Sequence, residues 1–309
     1  MYNCDYIILG LKMKIIFTPL ELKEHLKEVH KTVGFQGSQS IGFQGSQSIG
    51  FQGSQSIGFV PTMGALHEGH ISLIKKAKEQ NDFVVVSVFL NPTQFLKDED
   101  LDTYPKKDEA DKKICQLSGV DILFFPSADA MYGSDEVSLL APKVRGYVLE
   151  GFSRPSHFNG VLTVVMKLLN IVNPTRAYFG KKDAQQLNLI SLMVKQLFMD
   201  VEIVPVDTVR EKDGLALSSR NAYLTPPQRE EALKIPSSLR TASAMVSKGI
   251  LNSKEIISKM RETLAPLEIF YVEILDRDFN QLSHVEIGNT VILVEVKVGT
   301  TRLLDNIWL

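Results

Sequence analysis

PTMGALHEGH, residues 61–70, follows a strand expected at 57–61 and opens a helix. In a doubly wound parallel sheet, that junction is the carboxyl edge, where ligands bind. Gly64 and Gly69 let the backbone approach a ligand closely, and the helix start offers unpaired N–H groups and a positive dipole end to phosphate. His67 and His70 are three apart, so they share a face if the helix begins near them. Two imidazoles there would flank a phosphate as hydrogen-bond donors or as a proton source. Read singly, each histidine is a satisfied structural side chain, and the pair is a partial metal site.

Outward from this stretch the chain alternates apolar strands with amphipathic helices, the pattern of a parallel sheet covered on both faces. FVVVSVFL (83–90) is continuously apolar, as a strand buried on both faces should be. ILFF (122–125), AYF (177–179) and 201–206 supply further strands, and Val161, Val165, Leu168, Leu169 and Val172 recur at helical spacing. After Val209 the texture changes: TPPQ (225–228) starts a helical stretch, and strands are expected at 270–275 and 291–296. The expectation is an α/β protein: a Rossmann-like doubly wound parallel sheet over 13–208, then a smaller, lid-like α+β domain over 209–309.

A chain of 309 residues is long enough for two cores. Its net charge of -2 gives no general attraction for nucleic acid or an anionic membrane, so small-molecule substrates are expected. Two cysteines, Cys4 and Cys115, suit neither a disulfide framework nor a closed zinc site, and a cytoplasmic location is expected. Residues 1–12 read as an N-terminal extension ahead of Met13. GFQGSQSI stands three times without mismatch over 34–57. Such units carry too little apolar surface for a core, so they are expected to form a passive loop at the amino edge of the sheet. Excising all three copies would then rejoin 31–33 to 58–60 through a connection of common length.

PTMGALHEGH resembles the HxGH signature of the nucleotidyltransferases, in the form carried by the pantothenate synthetase family. Four further segments agree. Asn91 to Phe95 resembles the family's NPxQF loop, EGFSRPSHFNGV (150–161) a family segment usually seen with Gly in place of Ser156, Gly180 to Asp183 with Gln186 a nucleotide and acid site, and Leu217 to Asn221 a phosphate loop. The family more often has Glu where this chain has Lys181, which leaves open which lysine points inward.

The resemblance implies ATP-dependent joining of pantoate and β-alanine through a pantoyl-adenylate, with release of pyrophosphate and AMP, in a homodimer. His67, His70, Lys182 and Arg220 would be catalytic. ATP would be held by Met63, Gly64, Ala65, Leu66, His67, Glu68, Gly69, His70, Gly180, Lys181, Lys182, Asp183, Val209, Leu217, Ser218, Ser219 and Arg220. Gln94 and Gln186 would hold pantoate and β-alanine, with Arg154 and His157 either ordering the pocket wall or purely structural. Mg2+ would arrive on the ATP phosphates, with no metal site of the protein's own. Asp111 either touches that ion or sits on a solvated helix face. The alternatives are another adenylyltransferase of this fold, a metal hydrolase using His67, His70 and His157, or a non-catalytic nucleotide-binding protein.

Overall fold

The computed structural model describes residues 13–33, 55–96, 99 and 101–309. The extension 1–12, with Cys4, and residues 34–54 of the repeat lie outside them. β1 (Lys14–Ile16), α1 (Pro19–Val33), β2 (Ile57–Thr62), α2 (Glu68–Gln80), β3 (Phe83–Val88), α3 (Asp108–Leu117) and β4 (Ile122–Phe124) come first. Short helices α4 (Ala128–Met131) and α5 (Glu150–Ser153) precede α6 (His157–Val172), β5 (Arg176–Gly180), α7 (Ala184–Gln196) and β6 (Glu202–Val206).

The six strands are all parallel, in the order β1-β4-β3-β2-β5-β6. Their central members are Val-rich and buried because helices cover both faces. One face carries Leu22 and Leu26 of α1, the α6 stripe and Ile190 of α7. The other carries Leu73, Ile74 and Ala77 of α2 and Cys115 of α3. All five residues expected in the α6 stripe are buried. Burial pushes the Cys115 thiol up to about 12, so it stays protonated and unreactive. From β2 the chain steps to β3 on one side and later returns to β5 on the other, so the crevice lies beyond the carboxyl ends of β2 and β5. Those ends feed the HxGH loop and Gly180 to Asp183.

The second sheet is antiparallel: β7 (Glu268–Asp276), β8 (Thr290–Val298) and β9 (Thr301–Trp308). α8 (Pro226–Ala232), with its Thr225 capping box, α9 (Lys234–Ser247) and α10 (Ser253–Leu264) accompany it, and its core is separate. The sequence reading did not anticipate β9. Leu303 and Ile307 alternate into the small core, but Arg302 and Asn306 stand on the other face, so the polar residues hide the strand period.

The repeat requires a correction. Ile57, the last residue of the third copy, belongs to β2, is 0% exposed, pairs with Phe83 and donates its N–H to Thr175 Oγ1 at 3.0 Å. Ser56 donates through N–H and hydroxyl to Asp82. Since α1 ends at Val33, removing 34–57 would leave no connecting residue and would delete a core side chain. Removing 34–49 keeps one full copy. That shorter deletion is expected to leave the melting temperature nearly unchanged, because loop length enters stability only logarithmically. Removing 34–57 is expected to cost about 1.5–3 kcal/mol, the worth of one buried Ile. Urea melts of the two deletions separate these outcomes.

Candidate active site

α2 begins at Glu68, which makes His67 the N-cap and His70 the third helical residue. The two imidazoles form a reciprocal capping box. His67 N–H donates to His70 Nδ1 at 3.2 Å, and Gly69 N–H donates to His67 Nδ1 at 3.1 Å. A backbone N–H can only donate, so both Nδ1 atoms are acceptors and each neutral ring carries its proton on Nε2. The rings lie 4.2 Å apart between centroids and line one cleft. Burial lowers the His70 pKa to about 3, helped by His67 and Lys182, and burial and Lys182 lower that of His67. At neutral pH the pair therefore offers two Nε2–H donors to the cleft.

The loop ahead of the helix is set from beneath. Gly64 has φ +91° and Ala65 φ +51°, and Asp111 accepts Ala65 N–H and Leu66 N–H at 2.8 Å each. Asp111 is 1% exposed, so it is neither a solvated residue nor available to a metal; its carboxylate clamps the HxGH loop. Burial raises its pKa despite the two amide bonds. Of the expected nucleotide residues, Ala65 and Leu66 thus spend their amides on Asp111, and Glu68 is exposed outside the cleft. Met63, His67, Gly69 and His70 line it, while Gly64 is buried behind.

At the end of β5 the structure separates the two lysines. Lys181 Nζ pairs with Asp207 at 2.6 Å and lies over Trp308, and Lys181 itself does not line the cleft. Lys182 lines the cleft beside Asp183, 3.4 Å from its carboxylate, and bears electrostatically on both histidines. The Asp183 carboxylate is half exposed, and Lys182 and Arg220 hold its pKa below the usual carboxylate value. Gly180, Gln186, Val209, Leu217, Ser218, Ser219 and Arg220 share the same lining. Ser218 caps the 3-10 turn Ser219–Tyr223 by accepting Arg220 N–H, and Ser219 Oγ lies 3.3 Å from Tyr104 OH.

Gln94 lies across the cleft, 8% exposed. Asn91 Nδ2 donates to its Oε1 at 3.1 Å, and its Nε2 donates to Met63 Sδ at 3.0 Å, which fixes the amide orientation. Asn91 is in turn held by Tyr132 OH at 2.7 Å and by Gly160 O. The sequence offered Asn91 only as the start of the NPxQF loop and not as a site residue, although its type and place in NPTQF were the available signal. Arg154 and His157 hold the backbone of the same loop: His157 Nδ1–H donates to Gln94 O at 2.7 Å, and Arg154 bonds His157 Nε2 at 3.1 Å and Gln94 O at 3.4 Å. Both therefore order the pocket wall.

Ser156, before His157, has φ +70°. That left-handed conformation strains a residue with a Cβ, which accounts physically for the Gly of the family pattern. Ser156→Gly is expected to stabilise the fold by about 0.5–1 kcal/mol in a denaturant titration.

Burial and Arg154 lower the His157 pKa to about 4. His157 and His70 thus stay neutral in the fold while an unfolded histidine takes a proton near pH 6.5. Their stabilisation is complete above that pH and is lost as pH falls through the folded values. Thermal melts are expected to drop from pH 7 towards pH 4.5, and His157→Gln should flatten that slope.

Among the described residues, no group of three or more His, Cys, Asp or Glu could hold a metal ion, and no helix is long and apolar enough to cross a membrane. A doubly wound sheet presenting the His67–His70 pair beside its switch point belongs to the class of α/β proteins that bind a ligand at the carboxyl edge of the sheet. Comparison narrows this class. A sequence model described as pantoate-β-alanine ligase matches residues 42–308. The pantothenate synthetase of Sulfurimonas denitrificans is 72% identical over 297 residues, 96% of this chain and all of that protein. The crystal structure of pantothenate synthetase from Thermus thermophilus matches with TM-score 0.82 at 36% identity, covering 96% of this chain and 99% of that one. The pantoate-β-alanine ligase of Francisella tularensis, complexed with β-γ ATP and β-alanine, matches with TM-score 0.71 at 37% identity over 96% and 97%. The chain belongs to the pantoate-β-alanine ligase family.

Proposed function

We propose that this chain joins pantoate to β-alanine at the cost of ATP, through a pantoyl-adenylate. The observation that carries the reading is the shared cleft: His67, His70, Lys182, the Ser218 to Arg220 turn, Gln94 and Gln186 all line it, although they come from four separate stretches of sequence. In the first half-reaction a pantoate carboxylate oxygen attacks the α-phosphorus of ATP, and the bond to pyrophosphate breaks. The work is positioning and charge stabilisation. His67 and His70 supply Nε2–H donors, Lys182 and Arg220 supply positive charge, and the turn capped by Ser218 supplies further donors. In the second half-reaction the β-alanine amine attacks the acyl carbon and AMP leaves.

Gln94 and Gln186 bind the acid, since an amide offers both donor and acceptor to pantoate's hydroxyl and carboxylate. Asp183 accepts from the ribose hydroxyls. The side chain of Lys181 plays no direct part, because Asp207 and Trp308 engage it. Magnesium enters with the triphosphate as part of the substrate. Residues 13–208 hold nucleotide and acid, residues 209–309 act as the lid, and the protein works as a cytoplasmic homodimer.

Incubation with ATP, magnesium, pantoate and β-alanine, each omitted in turn, tests the reading. Pyrophosphate release should require pantoate, and AMP release should require β-alanine as well. Pyrophosphate release supported by a different acid would mark another adenylyltransferase, and ATP binding without turnover a non-catalytic protein.

A further inference from the structure

The face of β9 turned towards the larger domain reaches both halves of the cleft. Arg302, Leu304, Asn306 and Trp308 share that face by strand alternation. At one end, Arg302 donates to Glu99 Oε1 at 2.9 Å. Glu99 grips Arg154 through two bonds of 2.5 Å, and Arg154 with His157 holds the Gln94 carbonyl. Burial would raise the Glu99 pKa, yet Arg154, the Leu96 N–H and Arg302 hold it down at about 2, so this bridge is ionic at working pH. Arg302 also lies 3.9 Å from Glu295, itself 1% exposed.

At the other end Asn306, 2% exposed, donates from Nδ2 to two backbone carbonyls, Lys181 O at 2.9 Å and Lys182 O at 2.7 Å. Those carbonyls belong to the loop that presents Lys182. The two contacts lie four residue steps apart along the strand, a span of roughly 13 Å. A strand hydrogen-bonded along its length to β8 is a rigid spacer, whereas the two loops it touches have no hydrogen bond to each other among those described.

We propose that β9 is a positioning strand: Arg302, through Glu99 and Arg154, sets the acid-binding Gln94 loop, while Asn306 sets the loop that carries Lys182. This rests on the ligase reading of the cleft. Asn306 lies outside the cleft lining, and Arg302, at its edge, gives its guanidinium to Glu99, so each acts through a loop, and each acts on a different one. The two ends therefore predict opposite kinetic signatures, which general destabilisation would not produce.

The test begins with wild-type pyrophosphate release and its requirement for pantoate, which judges the ligase reading by itself. Arg302→Gln is then expected to raise KM for pantoate about tenfold with KM for ATP within about twofold, and Arg302→Lys to restore part of the loss. Asn306→Asp, which faces two carbonyls with an acceptor, is expected to raise KM for ATP or lower kcat about tenfold with KM for pantoate within about twofold. If Arg302→Gln does not fold, Glu99→Gln interrupts the same bridge from the larger domain and should give the pantoate signature. Calorimetric Kd for ATP, weakened in Asn306→Asp and unchanged in Arg302→Gln, decides the question even if the acid substrate proves different. Equal shifts for both substrates, or a lower melting temperature with unchanged kinetics, would overturn the proposal.

Discussion

His70→Ala is expected to slow pantoate-dependent pyrophosphate release about a hundred- to a thousandfold, roughly 3–4 kcal/mol of transition-state stabilisation, the scale for one preorganised donor. The variant should still fold, because α2 keeps its buried Leu73, Ile74 and Ala77. Two contributions must be separated, since His70 also accepts His67 N–H through Nδ1. His70→Asn retains a short acceptor near that amide but lacks a donor where Nε2 stood. It should recover part of the capping stability, typically about 1 kcal/mol, without recovering the rate. Single-turnover adenylation and a denaturant titration on both variants measure the two effects independently. Near wild-type adenylation in either variant would remove the imidazole from the chemistry.

Gly160→Ala is expected to damage the acid side as severely. A methyl group at this position would overlap the Thr93 carbonyl oxygen, at 2.6 Å from Thr93 C and 2.7 Å from Gln94 N. These are backbone atoms on both sides, so no rotamer can relieve the contact; the loop must move away from α6. Such a shift breaks the Asn91 bond to Gly160 O and displaces Gln94, and a displacement of about 1 Å at a positioned group can cost roughly a hundredfold. The expected result is a hundredfold or greater loss of kcat/KM for pantoate, with ATP binding retained because the HxGH loop lies on another strand end. Overpacking adds about 1–3 kcal/mol of destabilisation, visible as a lower melting temperature. Wild-type kinetics in Gly160→Ala would contradict the close approach of α6 to the loop.

Much of the larger domain was legible in the primary sequence because its signals are local. A continuously apolar run such as 83–90 reports burial on both faces, and the stripe from Val161 to Val172 reports one covered helix face. The HxGH histidines were legible for the same reason, since the capping box that orients them is closed within four residues. The sequence put Ile57 both at the end of the repeat and at the start of the next strand, and the structure gives it to β2. Ile57 pairs with Phe83, although it holds the same place in its octapeptide as Ile41 and Ile49 hold in theirs.

By itself, then, the sequence determined the alternating architecture, the strand ends that carry the motifs and the residue types brought to one cleft. Tertiary structure alone decided how those groups are held. Asp111 turned out to clamp a loop 45 residues earlier, Lys182 rather than Lys181 took the inward position, and β9 reached back to Glu99 and to the carbonyls of residues 181 and 182. The reason is physical: strand and helix periods arise from neighbours within a few residues, whereas a hydrogen bond between Arg302 and Glu99 spans 203 positions and leaves no period to read.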